Sequence, residues 1–327
     1  MARKPRIQFA GALYHVINRG NFRQDLFSGL GTAQAFEKTL FETCERCGWE
    51  LGAYCIMRNH FHLALATPKG NLVEGMQWLQ STFGNRFNSY FKEQGHVFQG
   101  RYKAILVEPG EHWLRVINYI HLNPVRAGLV TVANLESHSW SSFPKFLRKK
   151  TRPPFLQCGD WLPGITSQAD TPADWRRYRK LLDELNGLSP VQKGRAFDGL
   201  SQGTILGTDS FRRAVWEDFK KMDLAKDWGG KELRELNEIE WDLLLTDQMK
   251  ALGKTADDVR DDKKSAEWKA ALAWSMKRRT SVGNRWLGEK LNMGPPAMVS
   301  RLTGSFGRSD QKTARDHKKR LAAKSKG

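Results

Sequence analysis

The sequence predicts an α+β protein: a ferredoxin-like antiparallel sheet carrying helices on one face, followed by a mostly α-helical C-terminal region. Three observations support this. Up to residue 123 the candidate elements run strand, helix, strand, strand, helix, strand, helix. The two middle strands are separated only by Arg58-Asn59, which reads as a hairpin turn. Beyond about residue 150 the candidate segments are helical.

Each element has a local reason. Residues 7–18 (IQFAGALYHVIN) read as a strand ending in the polar turn Arg19-Gly20-Asn21. Residues 32–47 carry a helical apolar stripe that stops at Gly48. Residues 49–57 and 60–67 are apolar strand candidates, punctuated by Pro68 and Gly70. Leu72, Met76, Leu79, Phe83 and Phe87 place an amphipathic helix over 71–93, closed by Gly95. Residues 97–107 read as a strand. Trp113, Val116, Ile117 and Ile120 form the inner face of a helix over 111–123 that Pro124 is expected to stop. The first domain is expected to span 1–150, because a basic stretch from Lys145 to Arg152 and then Pro153-Pro154 resemble a linker. Helices are expected at 173–186, 209–222, 231–252, 265–279, 281–291 and 295–302. They divide into a helical extension (151–260), a candidate helix-turn-helix region (261–305) and a basic tail (306–327), the tail ordered only when bound.

Composition narrows the function classes. The 327 residues are 40% hydrophobic and 27% charged, ordinary for a globular protein and unlike a collagenous or disordered chain. No apolar run approaches the roughly 18 residues a membrane helix requires. The basic N-terminus has only a short, interrupted apolar stretch, so neither a signal peptide nor a membrane association is expected. Four cysteines make no disulfide framework, and a cytoplasmic location is expected. Cys44 and Cys47 form a CxxC without a second pair, and sit where a helix would bury small apolar residues. Lys and Arg number 53 against 35 Asp and Glu, a net charge of +18 that favours a polyanionic partner such as nucleic acid.

Two constellations could carry chemistry. In a strand, His60 and His62 project to the same face, with the small Ala64 and Ala66 beyond them, while Phe61, Leu63 and Leu65 point into the core. Two adjacent imidazoles are half of a divalent-metal site, but taken alone such a pair is more often two satisfied structural histidines. On the helix before Pro124, Tyr119 and Asn123 are four residues apart and share a face distinct from the apolar one. A tyrosine beside a metal or base can become a nucleophile toward phosphorus, and an Asn carbonyl is a hard ligand. Taken alone, the same two residues fit a half-buried tyrosine and a helix terminus.

Taken together, the segments MRNHFHLALATP (57–68) and NYIHLNPVRAGLV (118–130) resemble the two signatures of single-tyrosine HUH transposases, and more closely the REP-associated tyrosine transposases within the IS200-like insertion-sequence group. YHVINRGNFRQDLF (14–27), FQGRYKAILV (98–107) and WSSF (140–143) fit the same pattern in order and spacing, so the resemblance covers residues 5 to about 146. It implies a catalytic domain over 1–150. His60 and His62 would bind Mg²⁺ or Mn²⁺ with Asn123 as third ligand, although family enzymes commonly carry Gln at that place. Mn²⁺ suits two imidazoles better. Tyr119 would attack a scissile phosphate to give a 5′-phosphotyrosine. The implied substrate is single-stranded DNA beside a hairpin, as in repetitive palindromic elements, handled by a monomer or a homodimer. Arg19, Asn21, Arg23, Arg58, Asn59, Arg101, Lys103 and Arg126 are the candidate DNA contacts of this domain, with Tyr102 as a possible stacking ring. His15, His121 and the remaining histidines are expected to be structural.

Residues 281–302 read as two short helices joined at Asn292-Met293-Gly294, with Gly288 small enough for close approach and Asn292 suited to a left-handed turn. This resembles a helix-turn-helix with Ser300 and Arg301 on the recognition helix, a reading that the basic flanks and tail favour over an ordinary helical hairpin. Two further readings stand beside the transposase. One is a domesticated DNA-hairpin-binding or regulatory protein without strand transfer. The other is a zinc hydrolase built on the His pair, disfavoured because no further His, Asp or Glu stands near those two in sequence.

Overall fold

The computed structural model describes residues 7–165, 170–197, 199–201, 203–221 and 232–323. The chain forms two compact units, Met1–Thr208 and Asp209–Gly327. The N-terminal unit runs β1 (Ala12–Arg19), α1 (Leu30–Cys47), β2 (Glu50–Ile56), β3 (His60–Thr67), α2 (Leu72–Phe91), β4 (Lys103–Val107), α3 (Glu111–Arg126), α4 (Ser142–Phe146), α5 (Pro172–Gly187), α6 (Pro190–Phe197) and β5 (Ile205–Leu206). The sheet order is β2-β3-β1-β4-β5. The first four strands pair antiparallel, in the ferredoxin-like order, and β5 adds a short parallel edge to β4.

Strand alternation decides which side of the sheet each helix covers. Phe61 points to one face, where its ring lies 4.6 Å from Phe36 of α1, and Phe36 lies 5.2 Å from Phe83 of α2. These buried rings are the centre of the core between the sheet and α1 and α2. His62 points to the other face, which α3 covers. A methyl at Gly52 of β2 would fall 2.8 Å from the Trp113 ring and 3.1 Å from Ile117, so glycine there lets α3 lie against the sheet. The helices therefore occupy both faces, rather than the one face expected.

Several boundaries differ from expectation. β1 begins at Ala12, because Ala12 N–H bonds Phe9 carbonyl across a turn that has Gly11 at φ 80°. β4 begins only at Lys103, since Gly95 (φ 118°) and Gly100 (φ 86°) curl the preceding residues into a loop. α3 continues through Pro124 to Arg126. Proline removes one backbone bond, but its own φ is helical, and Ala127 N–H closes the last turn on the Asn123 carbonyl. The first unit ends at 208 rather than near 150. Residues 151–208 are built into it: Leu51 exchanges backbone bonds with Phe155 and Gln157, and Tyr178 of α5 donates or accepts at His121 Nδ1 (2.8 Å). His121 is fully buried, and its Nε2 meets Ser142 Oγ at 2.8 Å. It is structural, as expected, and ties α3 to α4 and α5.

The second unit comprises α7 (Asp209–Lys221), α8 (Glu232–Leu252), α9 (Ala256–Asp261), α10 (Glu267–Arg279), α11 (Asn284–Lys290), α12 (Pro296–Arg308) and α13 (Lys312–Ala323). Trp241, Leu245, Trp268, Leu272, Met276, Leu287, Leu291, Val299, Phe306, Ala314 and Leu321 share one core. The expected divisions at 260/261 and 305/306 therefore cut through a packed body. The tail contributes α13, whose Ala314 and Leu321 are buried, because apolar residues seven apart fall on one helical face. Residues 324–327 lie outside the described residues. Lys269 is buried among α10 neighbours, and its Nζ donates to the carbonyls of Val259 (2.8 Å) and Asp262 (2.9 Å), satisfying the end of α9. Between α11 and α12, Asn292 adopts φ 49°, and a methyl on Gly288 would fall 2.4 Å from the Gly294 carbonyl oxygen.

Gly52→Ala is expected to destabilise the first unit by about 1–3 kcal/mol through overpacking against Trp113, read as a lower denaturant midpoint. Burial holds the His121 imidazole down at about 3, against about 6.5 in an unfolded chain. Between those values the unfolded chain binds the extra proton. The stability contributed by neutral His121 is thus present above about pH 6.5 and lost as pH falls toward 3. His121→Gln should lessen the pH slope of unfolding free energy by up to about 1.4 kcal/mol per pH unit over that window.

Candidate active site

The register of β1 on β3 assembles the histidines. Arg19 stands opposite His60, Ile17 opposite His62, and His15 opposite Ala64, so all of these project to the α3 face. His15 Nε2 then reaches His62 Nδ1 at 2.9 Å, and His15 Nδ1 reaches the Leu200 carbonyl oxygen at 2.6 Å. A carbonyl only accepts, so His15 carries its proton on Nδ1 and accepts at Nε2. His62 must then donate from Nδ1, which leaves its Nε2 lone pair free. The same logic applies to His60, whose Nδ1 donates to Asn59 Oδ1 at 2.8 Å. The Asn59 orientation is supported by its Nδ2, which donates to the Arg23 carbonyl. Both strand histidines thus offer an unprotonated Nε2.

Burial keeps the three imidazoles neutral. It lowers His15 and His60 to about 4 each, with Lys103 and Arg19 adding like-charge repulsion. His62 is lowered further, by burial first and then by His15 and His60. Neutral imidazole is the form that binds metal. Asn123, one turn beyond Tyr119, is buried, and its side-chain Nδ2 lacks a partner. No hydrogen bond joins Asn123 to His60 or His62. Among the described residues no cluster of three or more His, Cys, Asp or Glu could hold a metal. The donors this face offers a divalent cation are therefore the two imidazole Nε2 atoms, a pair better suited to Mn²⁺ than to Mg²⁺.

Tyr119 faces this pair from α3. Its ring centroid lies 5.6 Å from His62 and 5.8 Å from His15. The Arg126 guanidinium lies over the Tyr119 ring at 4.6 Å and over Phe197 at 5.3 Å. A segment distant in sequence completes the wall. Phe197 packs 5.9 Å from Tyr119, Leu200 holds His15, and Ser201 Oγ donates to the Tyr119 hydroxyl at 3.1 Å. Arg115 fastens this segment through the Ala196 carbonyl (Nη2 at 3.0 Å) and Lys103 through the Ser201 carbonyl (2.8 Å). Sequence reasoning missed His15, Phe197, Leu200 and Ser201. His15 had one available signal: with β1 next to β3, its parity matches that of the His pair.

The remaining candidates separate. Arg19 is exposed beside His60. Asn21, Phe22 and Arg23 form a tight turn with Phe22 at φ 51° and Arg23 at φ 59°, and Phe22 is 89% exposed. Arg58 is exposed and paired with Asp25. Asn59 orients His60. Arg101 is exposed in the loop before β4, while Tyr102 is buried and so offers no stacking surface. Ser300 and Arg301 are exposed on α12, in the second unit.

Comparisons with known proteins agree with the resemblance read from the motifs. The family model described as Transposase IS200 like matches residues 8–123. A Haemophilus influenzae protein, provisionally named a REP-associated tyrosine transposase, is 25% identical over 130 residues, covering 36% of this chain and 72% of its own. A solved structure of a REP-associated tyrosine transposase bound to a REP hairpin aligns with a TM-score of 0.38 at 17% identity, over 52% of this chain and 96% of the other. A crystal structure of a provisionally named Deinococcus radiodurans transposase aligns with a TM-score of 0.28 at 19% identity, over 39% and 98%. The likeness to IS200-like transposases therefore lies on residues 8–123 of this chain.

Proposed function

We propose that the N-terminal unit is a metal-dependent single-strand DNA endonuclease and strand transferase that uses Tyr119 as nucleophile. The observation that carries this reading is the placement of Tyr119 against His62 and His15, with the Nε2 atoms of His60 and His62 free. His60, His62 and the Asn123 carbonyl would hold Mn²⁺ or Mg²⁺, which supplies Lewis-acid polarisation of a scissile phosphate when bound. The Tyr119 oxygen attacks phosphorus and gives up its proton. The bond from phosphorus to the 3′ oxygen breaks, leaving a 5′-phosphotyrosine and a free 3′-OH. Arg126, already stacked on the Tyr119 ring, places positive charge where the phosphate charge concentrates. Attack by another 3′-OH on the phosphotyrosine reverses the chemistry and rejoins a strand, conserving the bond energy.

The proposed substrate is single-stranded DNA next to a hairpin of the repetitive palindromic type, a class suggested by the name of the Haemophilus relative. Arg19 stands opposite His60, and Arg19, Asn21, Arg23, Arg58, Arg101 and Lys103 are proposed phosphate or base contacts. The turn that presents Phe22 offers an exposed ring for base stacking. For the second unit we propose duplex or hairpin DNA binding through a helix-turn-helix formed by α11 and α12, with Ser300 and Arg301 outward. Residues 267–327 support this with fifteen Lys and Arg against four Asp and Glu.

Incubation with labelled hairpin-bearing single strands and Mn²⁺ should give a covalent adduct on a denaturing gel, lost in Tyr119→Phe and with a chelator. Binding to the same DNA without any adduct in the wild type would instead indicate a DNA-binding protein without strand transfer. His15→Phe keeps an aromatic ring but removes the acceptor that fixes the His62 tautomer. It should weaken Mn²⁺ binding about 10–100-fold by calorimetry while the protein stays folded.

A further inference from the structure

A cluster of soft donors lies at the end of β2, and the chemistry above does not use it. Cys55 and Met57 are two residues apart at the end of this edge strand, so their side chains project to one face. The Cys55 thiol donates to Met57 Sδ at 3.4 Å. His138 joins them from a segment distant in sequence. Ile56 N–H bonds the Trp140 carbonyl, Cys55 bridges to Ser141, and Tyr54 N–H bonds Ser142 Oγ. Residues 140–142 thus dock along β2, and His138 Nε2 comes to 3.8 Å from Cys55 Sγ. The β2–β3 register sets Cys55 opposite His62.

The residue types select the ion. Thiolate and thioether sulfur favour Cu(I) over hard divalent ions, and imidazole accepts copper as well. Charge makes the same selection. Cys55 is fully buried, and Met57 is buried beside it. A thiolate with Cu⁺ is a neutral pair, whereas a divalent ion would leave net positive charge in apolar surroundings. Burial pushes the Cys55 thiol up, so an ion must displace a firmly held proton. A thiophilic ion does this, and Mg²⁺ or Mn²⁺ does not. Burial also holds the His138 imidazole down, in the neutral form that binds metal.

The spacing fits as well. An ion about 2.3 Å from sulfur and about 2.0 Å from nitrogen sets its donors roughly 3.5–4.0 Å apart, for angles between tetrahedral and trigonal. The Cys55–His138 separation of 3.8 Å falls within that range. The Cys55–Met57 separation of 3.4 Å lies just below it, a difference that the flexible methionine chain can absorb by rotation. His138 is half-buried, and its open side gives an ion a way in. Its Nε2 now donates to the Ile56 carbonyl at 3.2 Å. Binding moves that proton to Nδ1 and turns the Nε2 lone pair to the ion.

We propose that Cys55, Met57 and His138 form a site for a single Cu(I) ion, separate from the divalent-cation donors His60 and His62. The Cys55 Sγ–H bond breaks, its proton leaves to solvent, and a bond from Sγ to Cu⁺ forms with no change in oxidation state. Met57 Sδ and His138 Nε2 complete the coordination. The bound ion ties the segment before α4 to the sheet edge next to His62.

The test is a competition titration of the full chain with Cu(I) against bathocuproine disulfonate, with ascorbate and without oxygen. The wild type should withhold a single equivalent, show a near-ultraviolet thiolate-to-copper band, and melt at a higher temperature with the ion than without it. Cys55→Ala should abolish the band. Met57→Leu and His138→Gln should each weaken binding about tenfold or more. Met57→Leu conserves the buried volume, and a wild-type melting temperature without metal confirms that it is folded. The paired Cys44→Ala and Cys47→Ala variant should keep the equivalent. A wild type that withholds no Cu(I) overturns the proposal. So does an equivalent that survives Cys55→Ala and Met57→Leu but is lost with Cys44 and Cys47. Neither result bears on the Tyr119 adduct, so this site and the transposase reading fail separately.

Discussion

The N-terminal unit depends on one register: β1 paired antiparallel to β3 with Arg19 opposite His60. Side chains alternate along a strand, so this pairing puts His15, Arg19, His60 and His62 on one face and Phe61 on the other. A slip by one residue would send His62 into the aromatic core and Phe61 into the site. The buried rings of Phe36, Phe61 and Phe83 resist that slip, because no imidazole could replace Phe61 there without leaving polar nitrogens unpaired. The core therefore holds the site in place from the far side of the sheet.

The same face explains why the histidines are neutral and oriented. Hydrogen bonds run from the Leu200 carbonyl through His15 to His62, each proton position following from the one before. An isolated pair of strand histidines would rotate and protonate freely. Here burial removes the charge and the relay selects the tautomer, which leaves Nε2 directed away from the protein partners. Tyr119 meets this arrangement because Gly52 lets α3 approach the sheet closely. Arg126 meets Tyr119 because α3 continues past Pro124 for the two residues needed to bring the guanidinium over the ring.

The second unit obeys a different constraint. Apart from α8, its helices are of 13 residues or fewer, and none makes a core alone. They stand together because Trp241, Trp268, Leu287, Phe306 and Leu321 come from five separate helices and share one core. Among the described residues, the Lys- and Arg-rich α13 joins it through two buried side chains, Ala314 and Leu321. Charge counting alone reads such a segment as an unstructured arm, although two apolar residues at the right spacing suffice to dock it.

Periodicity and punctuation in the sequence were enough to determine the strand and helix order of the first unit, the hairpin at Arg58-Asn59, most helices of the second unit, and the left-handed turn at Asn292. The pairing of His60 with His62, and of Tyr119 with Asn123, was legible because both pairs are local, two residues apart on a strand and four on a helix. The unit boundary at 208, the helices on both sheet faces, the role of His15 and the wall from Phe197 to Ser201 were decided only in three dimensions. Ser201 lies 82 residues from the tyrosine it bonds, and the Leu200 carbonyl 185 residues from His15. No local pattern encodes such contacts: they exist because a two-residue parallel strand returns the chain to β4 and lays the segment before it across α3.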